Sequence, residues 1–266
     1  MNIVQNVKQD NPDLKVGMNS IIGTRQYQQD YVYYYSDSKE TLAVICDGMG
    51  GLDGGEQASR IAAECLGNAF ISRNPQISIP DFLCEQAGIM NGRVAGIPGK
   101  DGLPLRAGTT IVAVVVQEER LHWLSIGDSK IYIIRNEEMS QVNREHNYRL
   151  TLSEALKSGT ISQERYDVEE KKRQAEALIS YLGIGSLSLM DINRVPFEMR
   201  EGDVILLCSD GLYKSLNDSQ IKALVRDNDI DMNIAADRLC SMALRFGRGA
   251  QDNTSVLLIR YCPAGR

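Results

Sequence analysis

A chain of 266 residues with 43% hydrophobic and 24% charged residues has the composition of a globular protein with a sizeable core, at a length that suits one large domain or two small ones. Its 35 acidic residues outnumber 29 Lys+Arg for a formal charge of −6, and no long basic run is present, which argues against nucleic-acid backbone binding as a main activity. With only His122 and His146, and six cysteines standing at least 19 residues apart, HExxH zinc sites, His-rich clusters and CxxC pairs are excluded, so any metal must be held mainly by carboxylates.

Residues 1–20 scatter isolated apolar residues among Asn, Gln, Lys and Asp, without the apolar segment of a secretory signal, so a cytoplasmic protein with buried free thiols is expected. Short β-type runs follow at 17–23, YVYYY at 31–35 and LAVIC at 42–46. Across 55–73, Ala58, Ile61, Ala62, Cys65, Leu66, Ala69 and Phe70 share one helical face that should pack on a sheet. A second helix is predicted over 80–95, then a Gly/Pro-rich loop, GIPGKDGLPLRAG. Strand runs return as TIVAVVV at 110–116, LHWLSI at 121–126 and IYIIR at 131–135, close enough for antiparallel meanders. The run IVAVVV is the longest aliphatic stretch, far short of the roughly 20 residues a membrane helix needs, and no bilayer span is expected. Residues 145–180 are polar and weakly helical and interrupt the strand pattern as a surface flap. Strands resume at VILLC (204–208) and VLLI (256–259), enclosing helices near 218–227 and 233–246, the latter with Ala235, Leu239, Met242, Ala243 and Phe246 on one face. No repeat or linker marks a second domain, so 1–266 is read as a single domain containing the flap.

Three segments share one layout, in which an apolar strand ends and an Asp beside a Gly follows at once: Asp47 in LAVIC-DGMGG, Asp128 in WLSIG-DSK and Asp210 in ILLCS-DGL. Asp252 adds a fourth just before VLLI. Carboxylates at a sheet rim, where Gly lets the backbone come close, match the oxygen coordination that Mg²⁺ or Mn²⁺ prefers. Each Asp-Gly is equally what a tight turn selects. The four are far apart in sequence, and spacing alone does not bring them together.

The ordered series of Arg25 with Gln29-Asp30, DGMGG at 47–51, AGTT at 107–110, GDS at 127–129, SDGL at 209–212 and DN at 252–253 resembles the metal-dependent protein phosphatase family, the type 2C serine/threonine phosphatases. The likeness spans about residues 17–260, and the stretch EHNYRLTLSEALKSGTIS resembles the family's approach to its flap. The resemblance implies an α+β fold, an αββα sandwich of two mainly antiparallel sheets with helices outside. It also implies a stand-alone bacterial-type enzyme that hydrolyses phosphoserine and phosphothreonine and opposes Ser/Thr kinases, its partners being those kinases and their phosphorylated substrates; a monomer is expected.

The same resemblance assigns roles. Asp47 would bridge two Mg²⁺ or Mn²⁺ ions, with the Gly48 carbonyl on one and Asp210 and Asp252 on the other, so that a shared water becomes the attacking hydroxide. Arg25 would grip the phosphate through its planar fork. Asp30 would orient metal-bound waters. Asp128 is similar to the aspartate that helps hold a third ion in some members. Read without the family, Arg25 is an ordinary surface arginine, and Asp128 closes a 121–135 hairpin. His146 is read as a hydrogen-bonded structural histidine at the flap edge ahead of a general acid, and Tyr33, Tyr34 and Tyr35 as packing and rim residues. Two positions depart from the family pattern: Met49 replaces the histidine of a DGHGG motif, removing a proposed proton donor, and Gln29 stands where some members have an acid, with Gln28 where bacterial members often have Asn. The rival readings are a catalytically silent phosphoprotein-binding module of the same fold, against which retention of Asp47, Asp210, Asp252 and Arg25 speaks, and nucleotide binding by the Gly-rich loop, which lacks GxxxxGK[ST] and GxGxxG.

Overall fold

A computed structural model describes residues 2–227, 230–247 and 249–263. The first half of the chain lays down β1 (Ile3–Val7), β2 (Leu14–Ile21), β3 (Asp30–Ser36), β4 (Glu40–Met49), α1 (Gly51–Ile71), α2 (Ile79–Ala95), β5 (Gly108–Thr109), β6 (Ile111–Gln117), β7 (Arg120–Ile126), β8 (Lys130–Arg135) and β9 (Glu138–Gln141). After them come α3 (Tyr148–Lys157) and α4 (Gln163–Glu169), then β10 (Asp191–Ile192), β11 (Phe197–Glu198), β12 (Val204–Cys208), α5 (Asp210–Tyr213), α6 (Asp218–Val225), α7 (Met232–Phe246) and β13 (Thr254–Tyr261).

The strands form two sheets. One runs β1-β3-β4-β6-β7-β10, with β5 also on β4 and β11 also on β7; the other runs β2-β13-β12-β8-β9. Between them lies a hydrophobic layer that includes Val32, Ile45, Val114, Ile133, Leu207 and Leu257. A second core joins the outer face of the first sheet to α1 and α2 through Tyr33, Val44, Leu66, Phe70, Leu83 and Ala113. A third joins the other sheet to α6 and α7 through Leu206, Leu258, Ile221, Ala235 and Leu239. The order is helix, sheet, sheet, helix, the αββα arrangement expected. It explains why IVAVVV and VILLC read as unbroken apolar runs: with both faces covered, every position on the strand is buried and the usual alternation disappears.

Several elements differ from the sequence reading. The strand at LAVIC does not end there: β4 continues through Asp47 and Gly48 to Met49, because β3 and then β5 remain available to pair with it. The 121–135 stretch is no hairpin. β7 belongs to one sheet, while β8 pairs with β9 and β12 in the other, so the Gly127-Asp128-Ser129 link crosses between layers. The amino-terminal segment contributes β1, which pairs with β3 and is the one parallel pairing among the described residues. On α7, Phe246 is 43% exposed, and Ala236 and Cys240 are buried beside Ala235, Leu239 and Ala243. All six cysteines are free, four of them buried, and among the described residues no helix is long and apolar enough to cross a membrane.

Candidate active site

A cavity of about 650 Å³ opens at one edge of the sandwich, lined by Arg25, Asp47, Gly48, Asp128, Asp210 and Asp252 together with Thr110, Lys214 and Asn253. Six of the seven residues singled out from the sequence therefore meet on one surface. The seventh, Asp30, lies beneath it as the first residue of β3, directly opposite Asp47 in the β3–β4 register and fully buried.

Each carboxylate has its own mount. The backbone of Asp47 is clamped by the two threonines of AGTT: Thr110 N–H and Thr109 Oγ1 both donate to its carbonyl at 2.9 Å, and its own N–H donates to Thr110 Oγ1 at 3.2 Å. Gly48 must be glycine on space alone, since a Cβ there would stand 2.0 Å from the Gly55 carbonyl oxygen of α1. Asp210 opens α5 directly after β12. Ser209 before it donates to Asp30 Oδ2 at 2.7 Å and accepts from Ser255 N–H at 2.9 Å, tying β3, β12 and β13 together. Asp128 sits on the inter-sheet link, where Gly127 holds φ +104° against Thr110, and Tyr213 Oη donates to the Asp128 carbonyl at 3.1 Å.

Asp252 and Arg25 come from opposite ends of the chain and form an ion pair at 2.5 Å. Asn253 holds the Arg25 loop: its Oδ1 accepts from Gln29 N–H at 2.8 Å, and its Nδ2 donates to the carbonyls of Ile22 and Tyr27 at 2.9 and 3.0 Å. Arg25 is thus a surface arginine by exposure and a cavity residue by position.

The concentration of negative charge is visible in the protonation of the carboxylates. Burial raises Asp47 well above the usual carboxylate range, and the charges of Asp30, Asp210, Asp128 and Asp252 push it further. Burial takes Asp30 from 3.8 to about 7 against the lowering effect of the Ser209 hydrogen bond, with Asp210 and Asp252 adding to the rise. Asp128 is pushed up to about 6 by burial and by Asp210, with Lys214 opposing. Among the described residues, two cations offset the cluster at close range: Arg25 on Asp252, and Lys214, whose Nζ donates to Asp210 Oδ2 at 2.7 Å. For Lys214, burial disfavours the charge, yet Asp210, Asp128 and Glu176 hold its proton more tightly than usual. Lys214 was not singled out from the sequence, although its spacing from Asp210 is a helical i,i+4 pair in plain view, and Asn253 entered only as part of the DN motif, with no role assigned.

The donor set fits a hydrated divalent ion. Among the described residues no three carboxylate, imidazole or thiol groups stand close enough to enclose an ion unaided, and Asp30 Oδ1 is buried without a hydrogen-bond partner. Mg²⁺-type ions keep several waters and take only one or two carboxylates each, a pattern that spread carboxylates over a buried acceptor can serve. His146 takes no part in the cavity wall. It is fully buried, its Nδ1 accepts from Gly127 N–H at 3.2 Å, and its Nε2 lies 3.6 Å from Asp191. The tyrosines of β3 are buried packing residues.

A four-layer sandwich with a carboxylate-lined cavity at its edge defines the class, and the comparisons with known proteins agree. The model of the protein phosphatase 2C family matches residues 19–237, and the chain belongs to that family. It is 28% identical over 238 residues to the protein phosphatase PhpP of Streptococcus pneumoniae, covering 88% of this chain and 92% of that one. It is 26% identical over 230 residues to the serine/threonine phosphatase stp of Listeria innocua, covering 85% and 86%. Among solved structures, the catalytic domain of the serine/threonine protein phosphatase PstP in complex with two manganese ions superposes with a TM-score of 0.74 at 26% identity, over 94% of this chain and 99% of that one. The Streptococcus agalactiae serine/threonine phosphatase has the same fold, with a TM-score of 0.80 at 23% identity over 94% and 100%.

Proposed function

We propose that the chain is a metal-dependent protein serine/threonine phosphatase that hydrolyses phosphoserine and phosphothreonine in proteins and so opposes Ser/Thr kinases. The observation that carries this reading is the convergence of Asp47, Asp128, Asp210 and Asp252 with Arg25 on one cavity, from segments spread over the whole chain. Asp47 with the Gly48 carbonyl, Asp210 and Asp252 would hold two Mg²⁺ or Mn²⁺ ions, and Asp128 would help hold a third. Such ions, when bound, supply an acidified water as nucleophile and neutralise charge at phosphorus.

The chain's own residues do the rest. Arg25 stands exposed at the cavity wall on a loop held by Asn253, and its guanidinium can leave Asp252 for two phosphoryl oxygens while staying charged at any working pH. Asp30, buried with one oxygen bonded to Ser209 and the other without a protein partner, would orient water on the Asp47 side of the site. The cavity wall contains no serine, cysteine or histidine among the described residues, which favours direct attack by water over transfer to one of those side chains. Met49 lines the same wall and has no proton to give the leaving alcohol, so water or another group of the cavity must supply it.

The test is Mn²⁺-dependent release of phosphate from a phosphothreonine peptide by the wild type and by Asp210→Asn. We expect metal-dependent turnover that the substitution reduces by at least about 100-fold. Folded wild-type protein without turnover in either Mn²⁺ or Mg²⁺ would overturn this reading in favour of the silent phosphoprotein-binding module.

A further inference from the structure

Two further cavities continue outward from the acidic one along the flap. The first, of about 820 Å³, is lined by Lys172, Arg173, Gln174 and Ala177 and shares Glu176 and Lys214 with the acidic cavity. The second, of about 620 Å³, adds Arg149, Glu170 and Lys171 and shares Lys172, Arg173 and Glu176 with the first. The track therefore presents five cations against two carboxylates, on a protein whose net charge is −6. Of the five, Lys214 is engaged by Asp210 and Lys172 by Glu169 at 2.8 Å. Among the described residues, Arg149, Lys171 and Arg173 have no carboxylate within ion-pair distance.

The cations are mounted on fixed backbone. Arg173–Glu176 forms a 3-10 turn anchored by the fully buried Ala175, and the chain on either side is tied back to the start of the flap by Tyr148 N–H to the Ala177 carbonyl and Ile179 N–H to the His146 carbonyl, both at 2.9 Å. A short cationic ridge held in one place beside an acidic reaction cavity has a plain chemical complement. From this we propose that the track binds aspartate and glutamate side chains flanking the phosphoresidue of the substrate protein, making Lys171 and Arg173 specificity-determining residues. The inference rests on the phosphatase reading above and deepens it. Cations placed just outside a carboxylate-rich cavity also favour approach of an acidic substrate that the cavity alone would repel.

The experiment compares three phosphothreonine peptides of equal length, whose flanking residues are Glu, Gln or Lys, with p-nitrophenyl phosphate as a substrate that has no flanks. In the wild type with Mn²⁺, kcat/KM should favour the Glu peptide over the Gln peptide by about three- to tenfold, mostly through KM, in line with exposed charge pairs. The preference should shrink in 0.5 M salt, where the Debye length falls to roughly 4 Å. Lys171→Gln/Arg173→Gln should bring the Glu:Gln ratio near unity with p-nitrophenyl phosphate turnover unchanged, and Lys171→Glu/Arg173→Glu should favour the Lys peptide. No preference in the wild type, or a preference that survives both double variants, would overturn the proposal. Absence of p-nitrophenyl phosphate turnover in the wild type would instead strike the phosphatase reading. The cleft is then decided by fluorescence anisotropy of the same labelled peptides, where tighter binding of the Glu peptide must again depend on Lys171 and Arg173.

Discussion

Arg25 and Lys214 are the two cations placed among the cavity carboxylates, and they should behave oppositely when removed. Arg25→Ala deletes a fork that can make two charge-assisted hydrogen bonds to phosphate, and kcat/KM on a phosphothreonine peptide should fall by roughly 10- to 150-fold. Arg25→Lys should recover little, because an ammonium cannot reproduce the planar geometry. Lys214 competes with any divalent ion for Asp210, whose Oδ2 its Nζ already holds. Lys214→Met should therefore tighten Mn²⁺ binding to chelator-treated protein, read by titration calorimetry; equal or weaker binding would show that Lys214 supports the site by shaping α5. The side chains at this scale were legible to different degrees. Asp47, Asp128 and Asp210 stood out because Asp beside Gly at the end of an apolar run is a local pattern, and Asp252 because it stands just before the last apolar run. Lys214 did not: its i,i+4 spacing from Asp210 is local, but only the fold brings Asp128 and Glu176 around the pair and sets it in the cavity wall.

The elements matter through how they hold those side chains. Asn253, beside Asp252 at the foot of β13, fixes the loop from Ile22 to Gln29 with three hydrogen bonds to chain more than 220 residues away. Asn253→Ala leaves those backbone groups unsatisfied. Stability should drop by about 2–3 kcal/mol, with a further loss of activity from a loosened Arg25 loop, measurable as separate changes in denaturant midpoint and in KM. Gly48→Ala drives a methyl group into the Gly55 carbonyl, and relief requires β4 and α1 to part. That protein should be destabilised by about 3 kcal/mol or more, or fail to fold, whereas Gly102→Ala in the loop before β5, where a Cβ meets nothing within 4 Å, should cost only about 1 kcal/mol for its positive φ. The helices were readable from a local periodicity and the central strands from unbroken apolar runs, which are equally local. Where β4 ends, and that β7 and β8 part into different sheets, depends on partners: β5 extends β4 past Asp47, and β12 draws β8 away. β1 escaped notice because its Ile-Val-Gln-Asn-Val pattern is mixed, and its parallel pairing with β3 is a long-range event.

For the whole molecule, the acidic cavity ties stability to pH and to divalent ions. A carboxyl whose proton is held more tightly in the folded state than in the unfolded chain stabilises the fold while protonated in both states, and that contribution is lost as pH rises from the unfolded value toward the folded one. For Asp30 the window runs from 3.8 to about 7, corresponding to roughly 4 kcal/mol at most. Asp128 adds the same sign between 3.8 and about 6, and Asp47 does so over a range that begins at the same ordinary carboxylate value. Asp191 acts in the opposite sense: burial disfavours its charge, but His146 and Arg144 hold it ionised well below the ordinary value, so its contribution is present above 3.8 and lost on acidification. The chelated protein should therefore be most stable near pH 4 and lose Tm steadily up to about pH 7. Asp30→Asn should flatten that slope and raise Tm at pH 7.5, since the amide carries no charge to bury. Mn²⁺ or Mg²⁺ at pH 7.5 should raise the Tm of the wild type by binding the ionised cluster in the folded state alone. A thermal-melting series in chelator from pH 4.5 to 7.5, with and without Mn²⁺, decides the matter. A flat profile would mean that these carboxylates are not electrostatically strained in the folded protein. A falling profile that Mn²⁺ does not lift at pH 7.5 would mean that the strain is real and that the cluster is not a metal site.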